Sequence, residues 1–188
     1  MPSLLVLAGS SRAGSLNTKL ATLAASKLTA LGAKVTQISL ADFPLPMVDA
    51  TGFGNAPEAA TKLRALFDAH DGLFITCPEY NAGYTPLLKN ALDWATVAKP
   101  GAPATGLKGK VVGLGAASAG AMGGYRALTQ LRTVLELGFG ALVVPEMASV
   151  GFADKAFGEN GEITDERAAG FLTATLERLV REARHAKA

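Results

Sequence analysis

Residues 3–20 read SLLVLAGSSRAGSLNTKL. The first six are short, apolar and not alternating, the pattern of a strand buried on both faces in a parallel sheet. Residues 9–15 form a turn. From Leu16 onward, leucines recur at Leu20, Leu23, Leu28 and Leu31, close to the helical period. Ser15 is suited to cap this helix and Gly32 to stop it. Strand, Gly-rich turn and helix follow in order, and the same order recurs along the chain.

Working outward, KVTQISL at 34–40 alternates Thr36, Ile38 and Leu40 with Val35, Gln37 and Ser39, which marks a strand with one less buried face, at a sheet edge. After the loop DFPLPMVD, Leu63, Leu66 and Phe67 mark a second helix starting near Pro57. Residues 72–77 are another buried strand, PEYNAGYTP is its loop, and Leu88, Ala91, Leu92 and Ala95 mark a third helix. The Pro/Gly-rich connector KPGAPATGLKGK leads to a strand at 110–115 and the loop AASAGAMGG, followed by a helix marked by Leu128, Leu131 and Leu135. A fifth strand, GALVVPE, begins at Gly140, and start signals at 163–166 open a last amphipathic helix through Phe171, Leu172, Leu176, Leu179 and Val180. Alternating β and α units predict an α/β fold: a three-layer, doubly wound, five-stranded parallel sheet. An edge position for the second strand selects the flavodoxin-like order 2-1-3-4-5, since in the order 3-2-1-4-5-6 that strand is internal. With no internal repeat and no long linker, residues 1–188 form a single domain.

Composition narrows the function classes. Hydrophobic residues make up 49% and charged residues 18%, which excludes disorder for most of the chain. A net charge of +2 does not suggest a nucleic-acid binder. The single cysteine, Cys77, excludes a disulfide framework and a thiolate-rich metal site, and reads as a buried small hydrophobe. His70 and His185 have no ligand-like spacing, and His70 reads as a solvated cation at a helix end. The longest charge-free stretch, 111–125, is too short to span a membrane. MPSLLVLAGSSR lacks the basic start of a signal peptide, so a cytoplasmic protein is expected.

In such sheets ligands sit beyond the C-terminal strand ends where the strand order reverses, here between strands 1 and 3. Three loops meet there. The first, GSSRAGSLN, joins a buried strand to a helix N-terminus, where free N–H groups and the helix dipole favour an anion. Ser10, Ser15 and Asn17 add hydroxyl and amide donors and Arg12 a fixed charge, the parts of a phosphate cradle. Ser15 and Leu16 stand where a P-loop needs Lys and Ser/Thr, so nucleotide hydrolysis is not expected. A capped turn with no ligand is the plainer alternative. The second loop carries Tyr80 and Tyr84, flat surfaces for a planar ligand, and Glu79, suited to orienting the loop. The third, AASAGAMGGYR, is nearly all small residues, which admit a ligand close to the backbone or else serve tight helix–sheet packing. Residue chemistry alone stops at a phosphorylated planar ligand, with FMN favoured.

GSSRAGSLNTKLA at 9–21, PEYNAGYTPLLKNALDW at 78–94, GAMGGYRALTQLR at 120–132 and VVPE at 143–146 resemble the NADPH-dependent FMN reductase family, flavodoxin-like chromate, quinone and azo reductases. The resemblance implies FMN with its phosphate on Ser10, Arg12, Ser15, Leu16 and Asn17. It implies the isoalloxazine ring against Pro78, Glu79, Tyr80 and Asn81, with Ser118 and Gly120 near the ring's other side. Lys89, Asn90, Asp93 and Trp94 match the motif as packing and loop support. Tyr84-Thr85-Pro86 departs from the family pattern by placing its proline one residue late. The implied activity is a ping-pong reaction in which NADPH or NADH passes hydride to flavin N5 and a small-molecule acceptor (quinone, azo dye, nitroaromatic, chromate or free flavin) then takes the electrons. No side chain is implied as an essential acid or base, and no metal, nucleic acid or membrane is implied as a partner. Relatives are homodimers or homotetramers, and Arg126 and Glu146 match charged positions of an intersubunit network. The alternative is a flavodoxin-type electron carrier without its own NAD(P)H turnover. Such carriers are usually acidic, and a pI near 8.7 favours the enzyme.

Overall fold

The computed structural model describes residues 1–49, 55–97 and 106–186, so most of the connector expected at 99–110 lies outside the described residues. Strand β1 (Ser3–Ala8) leads through the first loop into α1 (Leu16–Ala30). Ser15 Oγ accepts the Thr18 N–H, and the chain leaves the helix through Leu31 and Gly32, as local sequence predicts. β2 (Lys34–Ser39), α2 (Glu58–Ala69), β3 (Gly72–Thr76) and α3 (Pro86–Val97) follow. Then come β4 (Val111–Ala117), α4 (Tyr125–Thr133), β5 (Leu142–Val150), the short α5 (Ala153–Ala156) and α6 (Glu166–His185). The five strands are parallel in the order β2-β1-β3-β4-β5. β2 is the half-exposed edge strand its alternation predicts.

The pleat sends alternate residues of β1 to opposite faces. Leu4 and Val6 pack with Leu20, Ala24 and Leu28 of α1 and with Leu172, Leu176 and Leu179 of α6. Leu5 and Leu7 pack with Leu63 and Phe67 of α2, Leu88 and Leu92 of α3, and Leu128 and Leu131 of α4. Gly115 serves this packing rather than a ligand. A β-carbon there would sit 2.9 Å from the Phe74 ring, so the glycine gives that ring its place in the core.

Three expectations are corrected. β4 continues through Ala116 and Ala117, which the sequence reading placed in a loop. β5 does not end at Glu146 but passes through Pro145 to Val150, because a register shift lets the edge strand accommodate a residue with no N–H. Arg132 of α4 donates to the carbonyls of Val143, at 3.3 Å, and Pro145, at 3.2 Å, on that irregular stretch. The α4 helix ends in a wider-wound turn over Val134–Gly138. His70 is not the solvent-exposed side chain expected at a helix end. It is 8% exposed, with its ring nitrogens 2.6 Å from the Leu66 carbonyl and 2.9 Å from Thr36 Oγ1, and it ties the end of α2 to β2.

Candidate functional site

β1 has β2 on one side and β3 on the other, so the loops leaving β1 and β3 diverge and open a crevice at their C-terminal ends. A cavity of about 210 Å³ lies there. Ser10, Arg12, Ser15, Leu16 and Asn17 line it from the first loop, Pro78, Glu79 and Tyr80 from the second, and Ser118 from the third. The structure thus gathers all the expected site residues except Asn81 and Gly120. Asn81 is exposed at the apex of its turn, and the Gly120 N–H donates to Ser118 Oγ at 3.2 Å. Ala117 and Ala119 also line the cavity; their small side chains carried no chemical signal in the sequence. Tyr84 does not line it and packs instead into the core on the α3 side.

In the first loop, Ser10 Oγ accepts the Arg12 N–H at 3.3 Å and Ser15 Oγ accepts the Thr18 N–H at 3.4 Å. Ser118 Oγ accepts from Gly120 in the same manner. Each hydroxyl spends acceptor capacity on the backbone and keeps its O–H to donate. The backbone N–H groups of Leu16 and Asn17, at the start of α1, take no partner among the described residues. They are the orphan donors of a helix N-terminus, and the helix dipole adds positive potential there. Arg12 is exposed at the rim and has no ion pair among the described residues.

The Asn17 side chain departs from its expected role. Its Nδ2 donates to the Ala117 carbonyl at 2.8 Å and its Oδ1 accepts the Ala117 N–H at 3.1 Å. The amide is therefore consumed in clamping the first loop to the end of β4, and only the backbone N–H of Asn17 is left for an anion. Thr76 Oγ1 donates to the Asn17 carbonyl at 2.8 Å and tightens the same junction.

In the second loop, Tyr80 and Gly83 exchange two backbone hydrogen bonds of 2.9 Å around Asn81 and Ala82. Both central residues have positive φ, +49° and +66°, as a type I′ turn requires. Asn tolerates this conformation, but Ala rarely adopts it, so the turn stores strain that its surroundings must offset. Tyr80, 58% exposed, stands at the rim. The late proline of this loop has a structural use. Thr85 accepts the Leu88 N–H at 3.3 Å, capping α3 with Pro86 as the first helical residue, and donates to the Gly9 carbonyl at 2.7 Å.

Glu79 holds the loop as expected, through an ion pair with Arg126. One of its oxygens, Oε2, is buried with no partner among the described residues. The third loop turns through Gly123 and Gly124, both at positive φ, and a β-carbon on Gly124 would lie 2.6 Å from that of Ala116. Only glycine allows this turn to lie against β4 and launch α4 toward the second loop. Burial pushes the Cys77 thiol up to about 12, so the reactive thiolate is scarce at neutral pH and the cysteine is a core residue. Trp94 is packing, as expected: it is 3% exposed, with its indole N–H on the Pro46 carbonyl at 2.6 Å.

A family model described as NADPH-dependent FMN reductase matches residues 2–155. The chain is 33% identical over 174 residues to an NAD(P)H-dependent FMN reductase of Pseudomonas aeruginosa, covering 92% of this chain and 90% of that one. It is 32% identical over 173 residues to a quinone reductase of Escherichia coli K12, covering 90% and 89%. Among solved structures, a flavoenzyme NAD(P)H:(acceptor) oxidoreductase of Paracoccus denitrificans superposes with a TM-score of 0.79 at 30% identity, over 99% of both chains.

Proposed function

Since the chain belongs to the NADPH-dependent FMN reductase family, we propose that the cavity at the β1/β3 crevice is its FMN site and that quinones are its acceptors. The protein is an NAD(P)H-dependent flavin oxidoreductase. The quinone assignment draws on relatives of that name from several sources. The observation that carries the site is the convergence of two unpaired helix N–H groups, the Ser10 and Ser15 hydroxyls and Arg12 on one cavity. That donor set fits a phosphate dianion. The buried, unpartnered oxygen of Glu79 fits an N–H on the edge of a planar ring. The cavity is below the roughly 300–1,000 Å³ of enclosed small-molecule sites, so a ligand of FMN's size lies partly outside it, beside Tyr80.

Bound FMN supplies the electron-transferring chemistry, and the protein supplies position and electrostatics. Leu16 and Asn17 N–H groups, Arg12 and the Ser10 and Ser15 hydroxyls would hold the phosphate, while the 78–84 loop would orient the ring. The open rim at Tyr80 leaves one approach, used first by NADPH or NADH and then by the acceptor. Among the described residues no helix is long and apolar enough to cross a membrane.

The test is an anaerobic absorbance titration of protein saturated with FMN and freed of excess. Stoichiometric bleaching of the flavin band by NADPH or NADH is the expected result, followed by recovery on adding a quinone. Retained flavin that neither nucleotide bleaches would instead indicate an electron carrier.

The assembled state in this reading is a homodimer or homotetramer. Its support is an exposed apolar surface on the β5 side, where Tyr125, Phe152 and Phe171 rim a groove of about 710 Å³. Arg126 and Glu146, whose positions match those of an intersubunit network, take partners within the chain, Glu79 and Arg178. Light scattering is expected to give a mass of two or four chains; a monomer at micromolar concentration would remove this part of the reading.

A further inference from the structure

Helix α4 presents two side chains, one turn apart, to the strained loop of the candidate site. Arg126 Nε donates to Glu79 Oε1 at 2.8 Å, and its Nη2 contacts the same oxygen. Gln130 Nε2 donates to the Ala82 carbonyl at 2.9 Å. These are long-range contacts, 47 and 48 residues apart in sequence, and they hold the segment that carries two positive-φ residues without glycine. The two partners of the ion pair differ in environment. The Arg126 side chain is 58% exposed and that of Glu79 only 9%. An exposed pair contributes little, because water screens both charges. A carboxylate withdrawn from water is different, because losing its partner leaves a charge that solvent does not screen. That carboxylate lines the cavity, and its second oxygen is buried and unpartnered.

Resting on the FMN reading above, we infer that Arg126 is a positioning residue of the redox site: it holds the Glu79 carboxylate and cancels its charge beside the flavin, and so sets how readily that flavin accepts electrons. Two electrons and one proton leave the flavin one unit more negative. A neighbouring carboxylate without its cation disfavours that state; a neutralised carboxylate does not. Gln130 contributes to the brace but carries no charge.

The test is the midpoint potential of bound FMN, read spectroscopically against a reference dye, together with FMN affinity by fluorescence quenching. In Arg126→Gln the reduced flavin is expected to lose about tenfold in affinity relative to the oxidised form, about 30 mV lower for a two-electron couple. Glu79→Gln is expected to move the potential the opposite way, and by less, because Arg126 then turns to water. The double variant Glu79→Gln/Arg126→Gln returns close to the wild-type potential, and Arg126→Lys restores most of it. A purely structural brace weakens FMN affinity in both single variants without opposite shifts. Potentials unchanged in both, or moved in the same direction, would overturn the inference while leaving FMN binding intact. Wild-type protein that does not quench FMN fluorescence would overturn the FMN reading, and this inference with it.

Discussion

Replacing Arg12 by alanine weakens FMN binding about ten- to a hundredfold while leaving riboflavin binding unchanged. Arg12 is exposed at the cavity rim and has no ion pair among the described residues, so its removal leaves no buried charge behind. The loss is confined to its interaction with the ligand. A hydrogen bond to a charged group contributes roughly 1.5–3 kcal/mol, and about 1.4 kcal/mol is a factor of ten in affinity. The helix N–H groups and hydroxyls of the cradle remain, so binding is weakened rather than lost. Riboflavin lacks the phosphate and serves as the internal control. Fluorescence titrations of both ligands at two salt concentrations check the result, and the difference between variant and wild type shrinks as salt rises. An unchanged FMN affinity, or an equal loss for riboflavin, would remove Arg12 from the phosphate site.

Asn17→Ala costs about 2–5 kcal/mol of stability, a large share of the 5–15 kcal/mol typical of a folded domain. The Asn17 amide satisfies both backbone groups of Ala117, which is 4% exposed, and alanine leaves them unpaired. Each buried orphan costs about 1–3 kcal/mol. A lower urea midpoint with an unchanged slope is the expected observation. Asn17→Asp separates the clamp from the cradle. It keeps an acceptor for the Ala117 N–H but sets a second acceptor against the Ala117 carbonyl and a negative charge beside the phosphate donors. FMN affinity is expected to fall further in Asn17→Asp than in Asn17→Ala, even where the aspartate variant is the more stable. An unchanged urea midpoint in Asn17→Ala would show that the clamp contributes nothing.

Local patterns carried the layout of the chain. The apolar run of β1, the Ser15 cap, the Asp165 cap of α6 and the leucine periodicities each belong to one element and need no partner to be recognised. The alternation of β2 placed it at an edge, and that alone separated two strand orders. The loop composition at the β1/β3 crevice was equally legible, because helix starts, hydroxyls and arginine have the same chemistry wherever the loops meet.

What the sequence could not show is which of these groups are free. Asn17 reads as a ligand donor until its partner, 100 residues away, takes both ends of its amide. His70 reads as a solvent cation until β2 brings Thr36 against its ring. Glu146 reads as the end of a strand until Arg132 from α4 takes up the carbonyls of the irregular edge. Glu79 and Arg126 become one unit only where the turn at Gly123 and Gly124 aims α4 at the second loop. Periodicity, caps and turn residues are properties of a few consecutive residues, so the sequence by itself determined the elements, their order and the sheet edge where the crevice opens. Hydrogen bonds and ion pairs are settled by which loops the sheet brings together, so only the tertiary structure decided which donors remain free at the crevice and which charged side chain lines it.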